Sequence, residues 1–255
     1  MRKKIFGLLS AAAFLVVTVP VLGVTNGQPD GTRHPYVGIA IQPIPDQPGF
    51  VFVCSGSALS STKFLTAAHC FDPSQPAFVA YSSGPPFAFT PGTFHPHPDW
   101  CIGCGPGLPR FDTHDVAVIT LDAPSNPGAF AELPAPLLVD TLPMRTPVDI
   151  VGYGVQGFIR GGGPPEGIFT AIRFFAPSLL IQSNDVISPE FIKLTANPAQ
   201  GKGGTCFGDS GGPNVLGGTS VVLAVNSFVT NGNCAGVTYS QRVDLPEILS
   251  FIASF

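Results

Sequence analysis

Gly208-Asp209-Ser210-Gly211-Gly212-Pro213 is the stretch on which the reading of this chain turns. A serine hydroxyl is a poor nucleophile near neutral pH. To attack a carbonyl it needs a base for its proton and donors for the negative charge that develops. Glycines on either side let the backbone turn tightly around the serine and bring N–H groups close to a substrate. The stretch therefore predicts two partners elsewhere in the chain: a histidine base, and a buried acid to orient it.

Upstream lie Thr66-Ala67-Ala68-His69-Cys70 and Thr113-His114-Asp115-Val116-Ala117-Val118-Ile119. His69 is the candidate base, because imidazole titrates near working pH and the adjacent cysteine can lock its loop. Asp115 directly precedes the apolar run Val116–Leu121, whereas Asp112 and Asp122 read as solvated turn residues. In the order His69, Asp115, Ser210, the three segments resemble the chymotrypsin/trypsin family of serine proteases, from Val24 to Phe255. The resemblance implies an all-β fold of two six-stranded Greek-key antiparallel β-barrels with a C-terminal helix, the site lying between the barrels. It implies a secreted endopeptidase with His69, Asp115 and Ser210 as catalytic triad and the N–H groups of Gly208 and Ser210 as oxyanion hole. Substrates would be proteins or peptides, and the chain would act as a monomer without cofactor or metal.

Two other classes compete. Gly208-x-Ser210-x-Gly212 also fits the nucleophile turn of α/β-hydrolases, which place their histidine after the serine. The five histidines are His34, His69, His95, His97 and His114, all before Ser210, so that class is excluded. The second competitor is a catalytically inactive homologue serving as a secreted binding module. Retention of all three triad residues argues against it.

Residues 1-23 read as a signal peptide: Arg2, Lys3 and Lys4 precede an uncharged apolar run from Ile5 to Gly23. Its removal changes the formal charge from −4 to −7 (9 Lys+Arg against 16 Asp+Glu), which leaves no basic footprint for nucleic acid. No later segment is apolar and long enough to span a membrane. Val24-Thr25-Asn26-Gly27 is similar to the mature start of the family. There, a newly made N-terminal amine pairs with the carboxylate that Asp209 would provide, so signal removal alone would release the activating amine of Val24.

Six cysteines behind a signal peptide indicate disulfides, with 15 pairings open on sequence alone. The resemblance implies Cys54–Cys70 and Cys206–Cys234, leaving Cys101 and Cys104 to pair locally. A further bridge frequent in the family's second domain has no counterpart, since no cysteine lies between Phe158 and Thr205. His95, His97, Cys101 and Cys104 also suggest a zinc site, a weaker reading in an oxidising compartment.

Tyr36–Ile41, Phe50–Cys54, Phe64–Ala67, Val116–Leu121, Val148–Gly152, Phe169–Phe175 and Val221–Val225 are rich in β-branched and aromatic residues, separated by Pro/Gly/Ser/Asn clusters. The barrels are assigned to 24-135 and 136-255, with a proline-rich crossover from Ala123 to Pro147. Gly152-Tyr153-Gly154 looks like the family's Gly-Trp-Gly with tyrosine in place of tryptophan. Leu245, Ile248, Leu249 and Ile252 recur at helical spacing, with Asp244 as cap, Pro246 in the first turn and Glu247 completing a capping box. The glycine-rich segment Gly157–Gly167 is expected to be a surface loop. No fixed-period repeat is visible.

By the resemblance, the substrate pocket has Gly204 at its base and Ser227, Phe228, Val229 and Gly236 along its walls. Gly204 is no acid, so a buried Lys or Arg would lack a counter-charge. Val229 would narrow the pocket towards small or medium apolar side chains.

Overall fold

The computed structural model describes residues 24–105, 112–159, 166–182 and 189–255. The expected signal segment 1–23 lies outside the described residues, as does the tip of the glycine-rich loop, 160–165.

Six strands form the first barrel: β1 (Val37–Pro43), β2 (Val51–Ala58), β3 (Lys63–Thr66), β4 (Ala77–Ala80), β5 (Thr90–Pro96) and β6 (Ala117–Leu121). They close in the order β1-β2-β3-β6-β5-β4, every pair antiparallel. The second barrel comprises β7 (Pro147–Gly152), β8 (Phe174–Gln182), β9 (Phe191–Ala196), β10 (Pro213–Leu216), β11 (Val222–Val229) and β12 (Gly236–Arg242). Its order is β7-β8-β9-β12-β11-β10, which repeats that of the first. The chain is thus built on one topology used twice, although its sequence shows no repeat.

Burial on both faces explains why some strands read as unbroken apolar runs. Along β6, Ala117, Ile119 and Leu121 point into the first barrel with Phe64 and Phe94. Val118 and its neighbour Val116 face a cluster shared with Val151, Tyr153 and Val225 of the second half. The period of two divides one run between a barrel interior and the barrel–barrel interface.

Strands with turn-like composition escape such a reading. β5 begins Thr90-Pro91-Gly92, yet a side chain at Gly92 would meet the Thr120 carbonyl at 2.6 Å, so a neighbouring strand needs that glycine. Only the last two residues of Phe169–Phe175 belong to a strand. Ala171 takes a positive φ of 53° and Arg173 turns inward, which takes the preceding residues out of the ladder. The segment Gly157–Gly167 lies partly in a strand pair, Gly157–Ile159 with Glu166–Ile168.

The two chain ends cross over. Gln28–Pro29 pairs with Phe174–Phe175 of the second barrel. The C-terminal helix, Pro246–Ala253, buries Ile248 and Ile252 in the shared cluster, and Lys63 Nζ of the first barrel donates to the Ile252 carbonyl at 3.0 Å. The expected cap on this helix is not formed. Leu245 occupies the cap position without a side-chain bond. The Asp244 carboxylate is committed elsewhere, accepting from Arg242 Nε and Nη2 at 2.9 Å and from Val139 N at 2.8 Å. A buried ion pair has claimed the side chain that the local pattern assigned to capping.

Arg173 ties the N-terminal segment, the first barrel and the second together. Its guanidinium donates to Asp30 Oδ2 at 2.7 Å and to the carbonyls of Gly31, Val37 and Tyr81 at 2.8–3.0 Å. Both charged side chains are almost fully buried. Removing one member of a buried ion pair typically costs about 3–5 kcal/mol; without Arg173 the Asp30 carboxylate would keep only His34, through its backbone N–H and Nδ1. Arg173→Met should lower unfolding free energy by that order in urea titrations, and Asp30→Asn combined with it should recover part of the loss.

Candidate active site

The cleft between the barrels is assembled from three loops. His69 sits on a short 3-10 turn, Ala68–Cys70, which follows β3 directly and is held to β2 by the Cys54–Cys70 disulfide. Asp115 precedes β6, with its backbone N–H bonded to Gln241 Oε1 of β12 at 3.1 Å. Ser210 lies in the loop that leads into β10, and His69 and Ser210 are both walls of one cleft of about 220 Å³.

Asp115 grips His69 twice. Its Oδ1 accepts the His69 backbone N–H at 3.0 Å, and its Oδ2 faces Nδ1 at 2.8 Å, which puts the ring proton on Nδ1. Ser227 Oγ donates to the same Oδ2. Asp115 is fully buried, and burial alone would raise its pKa. The opposing charge and hydrogen bonds of His69, with the Ser227 bond, outweigh this and hold it below the usual carboxylate range. For His69, burial pulls the pKa down, but the charge and hydrogen bond of Asp115, helped by Asp112, carry it above the ordinary 6.5.

The serine loop depends on close approach. At Gly211, with φ +75°, a side chain would meet Thr66 Oγ1 at 2.1 Å and the Ala67 N at 2.6 Å. At Gly212 it would meet the Val151 carbonyl at 2.4 Å. Gly211 is therefore where the serine loop touches the segment carrying His69, and Gly212 is where the same loop packs on β7 of its own barrel. Ser55 of β2 secures that contact: its N–H donates to the Ser210 carbonyl at 2.8 Å and its Oγ to the Gly208 carbonyl at 2.9 Å, while it accepts from Tyr153 N at 2.9 Å. Asn226 holds the other side, exchanging backbone bonds with Gly211 and Gly212 and donating Nδ2 to the Asp209 carbonyl.

With the carbonyls of Gly208 and Ser210 fixed, their N–H groups donate to no acceptor among the described residues. No hydrogen bond joins Ser210 to His69 among the described residues either; the two meet as neighbours across the cleft. Asp209 points away from it and is fully buried. Its carboxylate accepts from Gly154 N at 2.8 Å and Cys206 N at 2.9 Å, but burial dominates and lifts its pKa to about 7. Val24 is also fully buried, and Thr25 is bonded to both Gly204 and Cys234.

Thr205, Cys206, Phe207, Ser227, Phe228 and Val229 complete the cleft wall, and none of them is charged. Gly204 and Gly236, expected as base and wall, are not among the lining residues. Gly204 is packed instead against Ala196 and Thr238, where a side chain would meet carbon atoms at 2.3 and 3.0 Å. Phe228 stacks on Tyr239 at 4.9 Å and meets Phe191 edge-on at 5.5 Å. The three disulfides are Cys54–Cys70, Cys101–Cys104 and Cys206–Cys234, so neither thiol of the Cys101 pair is free for zinc.

Sequence reading missed Ser55, Asn226 and Gln241. Ser55 adjoins a cysteine next to the histidine loop, which is a signal of place but not of role. Tyr153 does what a buried tyrosine requires: its hydroxyl donates to the Ser82 carbonyl at 2.8 Å, linking the barrels.

The sequence model described as Trypsin matches residues 37–251. Among solved structures the chain is similar to HL collagenase, at 20% identity and a TM-score of 0.69, covering 90% of this chain and 97% of that one. It is similar also to a mutant of human heparin binding protein (CAP37), at 19% identity and a TM-score of 0.68, covering 91% and 95%. No curated protein matches it significantly in sequence.

The His69 pair gives a pH test that needs no substrate. Protonation of His69 is what Asp115 favours, so the stability it contributes is full below pH 6.5 and is lost as pH rises through the elevated folded value. Proton NMR titration should place His69 above the ordinary histidine range, and Asp115→Asn should bring it down. An unshifted His69 in the parent protein would contradict this electrostatic picture.

Proposed function

Because the chain belongs to the trypsin family, we propose that it is a secreted serine endopeptidase working through an acyl-enzyme. The observation that carries this is the Asp115–His69 pair, 2.8 Å apart, opening on the cleft that Ser210 lines beside two uncommitted N–H groups. Ser210 Oγ attacks the scissile carbonyl while His69 Nε2 takes its proton, and Asp115 stabilises the imidazolium that results. The carbonyl oxygen, now an alkoxide, is held by the N–H groups of Gly208 and Ser210. One such donor is worth about 100- to 1,000-fold in rate. His69 then returns the proton to the leaving amine, and water, activated by the same imidazole, hydrolyses the ester. Catalytic hydrogen bonds are often long before substrate binds, and closure of the Ser210–His69 gap belongs to the bound state.

The residue before the scissile bond is apolar in this proposal. A Lys or Arg there would find no carboxylate among the eight residues lining the cleft. Phe228 and Val229 offer it apolar surface instead.

Processing supplies the last part. Cleavage after Gly23 frees the amine of Val24, and that ammonium pairs with Asp209. The burial of Val24 and the bonds of Thr25 to the pocket segment favour this start. In the unprocessed chain the raised pKa of Asp209 makes ionisation unfavourable, so stability falls as pH rises from 3.8 towards 7. The processed chain should lose that dependence, and N-terminal sequencing of the secreted protein should begin at Val24. A start several residues away would remove this part of the proposal.

A fluorophosphonate probe should label the processed protein at Ser210, and Ser210→Ala should abolish label and hydrolysis together. Asp115→Asn should reduce kcat by about 10⁴, the loss typical of this substitution in such a triad. Correctly processed protein that resists the probe would instead be a binding module on the same fold.

A further inference from the structure

The segment His95–Cys104 is not absorbed by the hydrolytic site, and the fold gives it a partner from elsewhere in the chain. His97 is buried, and its ring stacks on that of His114 with centroids 4.8 Å apart and planes at 22°. One ring nitrogen of each, with a carboxylate oxygen of Asp99, lies within 4.8 Å of the others.

These groups are poorly satisfied as they stand. His114 Nδ1 is buried and has no hydrogen-bond partner. Glu190 Oε2, which accepts the His114 backbone N–H at 3.0 Å, stops 3.9 Å short of that nitrogen. His97 Nδ1 accepts only a long bond from the Asp99 N–H, at 3.2 Å. A buried nitrogen lone pair without a donor is a cost unless something binds it. Burial, with the proximity of His114, holds His97 below the ordinary histidine pKa despite Asp99 and Glu247. The neutral form is the one that ligates metal.

We propose that His97, Asp99 and His114 form a zinc-class divalent metal site beside the hydrolytic centre, and that its occupation inhibits the enzyme. Two imidazoles and one carboxylate suit zinc, and exclude calcium and magnesium, which require oxygen ligands throughout. A tetrahedral zinc with bonds of about 2.0–2.1 Å holds its ligand atoms roughly 3.3 Å apart, so these three, within 4.8 Å of one another, would draw in by at most about 1.5 Å. His114 immediately precedes Asp115 and takes a positive φ of 54°, a conformation few side chains adopt freely. A pull on His114 therefore reaches the carboxylate that orients His69. Displacement on the order of 1 Å can cost about 100-fold in rate. The inhibitory half rests on the protease reading; the metal site does not.

The test uses the processed, disulfide-intact protein. Trp100 is the only tryptophan, and its backbone N–H donates to the His97 carbonyl at 3.0 Å, so its fluorescence reports the site without substrate. Zinc chloride should give a saturable fluorescence change with one ion bound per chain by equilibrium dialysis, and calcium chloride none. His97→Gln and His114→Asn should each weaken zinc binding at least tenfold; asparagine tolerates the positive φ, so the second variant keeps its backbone. His95→Gln, whose ring is bonded to Thr120, should leave binding unchanged. No stoichiometric zinc, or an affinity in both variants equal to that of the parent protein, overturns the site. Zinc should also slow peptide hydrolysis by the parent protein and have much less effect on His97→Gln. Equal inhibition of both would place the zinc on His69 and overturn the coupling. Protein that hydrolyses nothing yet binds zinc with this mutational pattern would sink the protease reading and leave the site standing.

Discussion

The structure depends on an approach too close for any side chain. Gly211 brings the serine loop of the second barrel against Thr66, Ala67 and Ser55 of the first, where a Cβ would lie 2.1–2.7 Å from their atoms, and Gly212 lets the loop fold back onto the Val151 carbonyl of its own barrel. Thr66 and Ala67 lead straight into His69, so the absent side chain at Gly211 sets the distance between the serine loop and the imidazole. Ser55 converts the approach into a fixed geometry by bonding the carbonyls on either side of Asp209. Each barrel alone is an ordinary closed sheet. The site exists only in their contact, and that contact is written in glycines.

Charge is used sparingly and much of it inward. Of only 28 charged residues, Asp30, Arg173, Arg242, Asp244, Asp115 and Asp209 are nearly or wholly buried. Five of them have an ionic or imidazole partner. Asp209 alone depends on two backbone N–H groups, and its pKa rises to about 7, where Asp115, paired with His69, moves the other way. Two equally buried carboxylates thus shift in opposite directions because one faces the His69 imidazole and the Ser227 hydroxyl, and the other only backbone N–H groups. The odd one is the carboxylate that, in the proposed processing, the Val24 ammonium would pair.

The parts legible in sequence were those where one local pattern had one cause. Ser210, His69 and Asp115 each stand in a motif whose neighbours have stereochemical work: Gly211 for approach, Cys70 to lock the histidine turn, Val116–Leu121 for the strand beyond the acid. The C-terminal helix was readable from its period. Its cap was not, because Asp244 met a stronger partner, Arg242, that lies two residues away and faces the same buried space. β4, a run of four residues, went unread, and β5, β9, β10 and β12 did so for a related reason. Their prolines, glycines and polar residues suit contacts supplied by neighbouring strands, and a window of sequence does not contain those neighbours. Ser55, Asn226 and Gln241 hold the site through side-chain bonds spanning 17 to 153 residues, so no spacing rule could find them.

The substrate cleft shows the same dependence on distant partners. One wall is fastened by Cys206–Cys234. Between Phe158 and Thr205 there is no cysteine, and the facing wall is held by aromatic packing: Phe228 on Tyr239, with Phe191 edge-on. An aromatic pair contributes about 0.5–1.5 kcal/mol beyond the area it buries, against roughly 2–4 kcal/mol for a disulfide. Two such contacts approach the lower end of that range but do not fix a distance as a covalent bond does. Val229 continues the strand past Phe228, opposite Thr238 of β12.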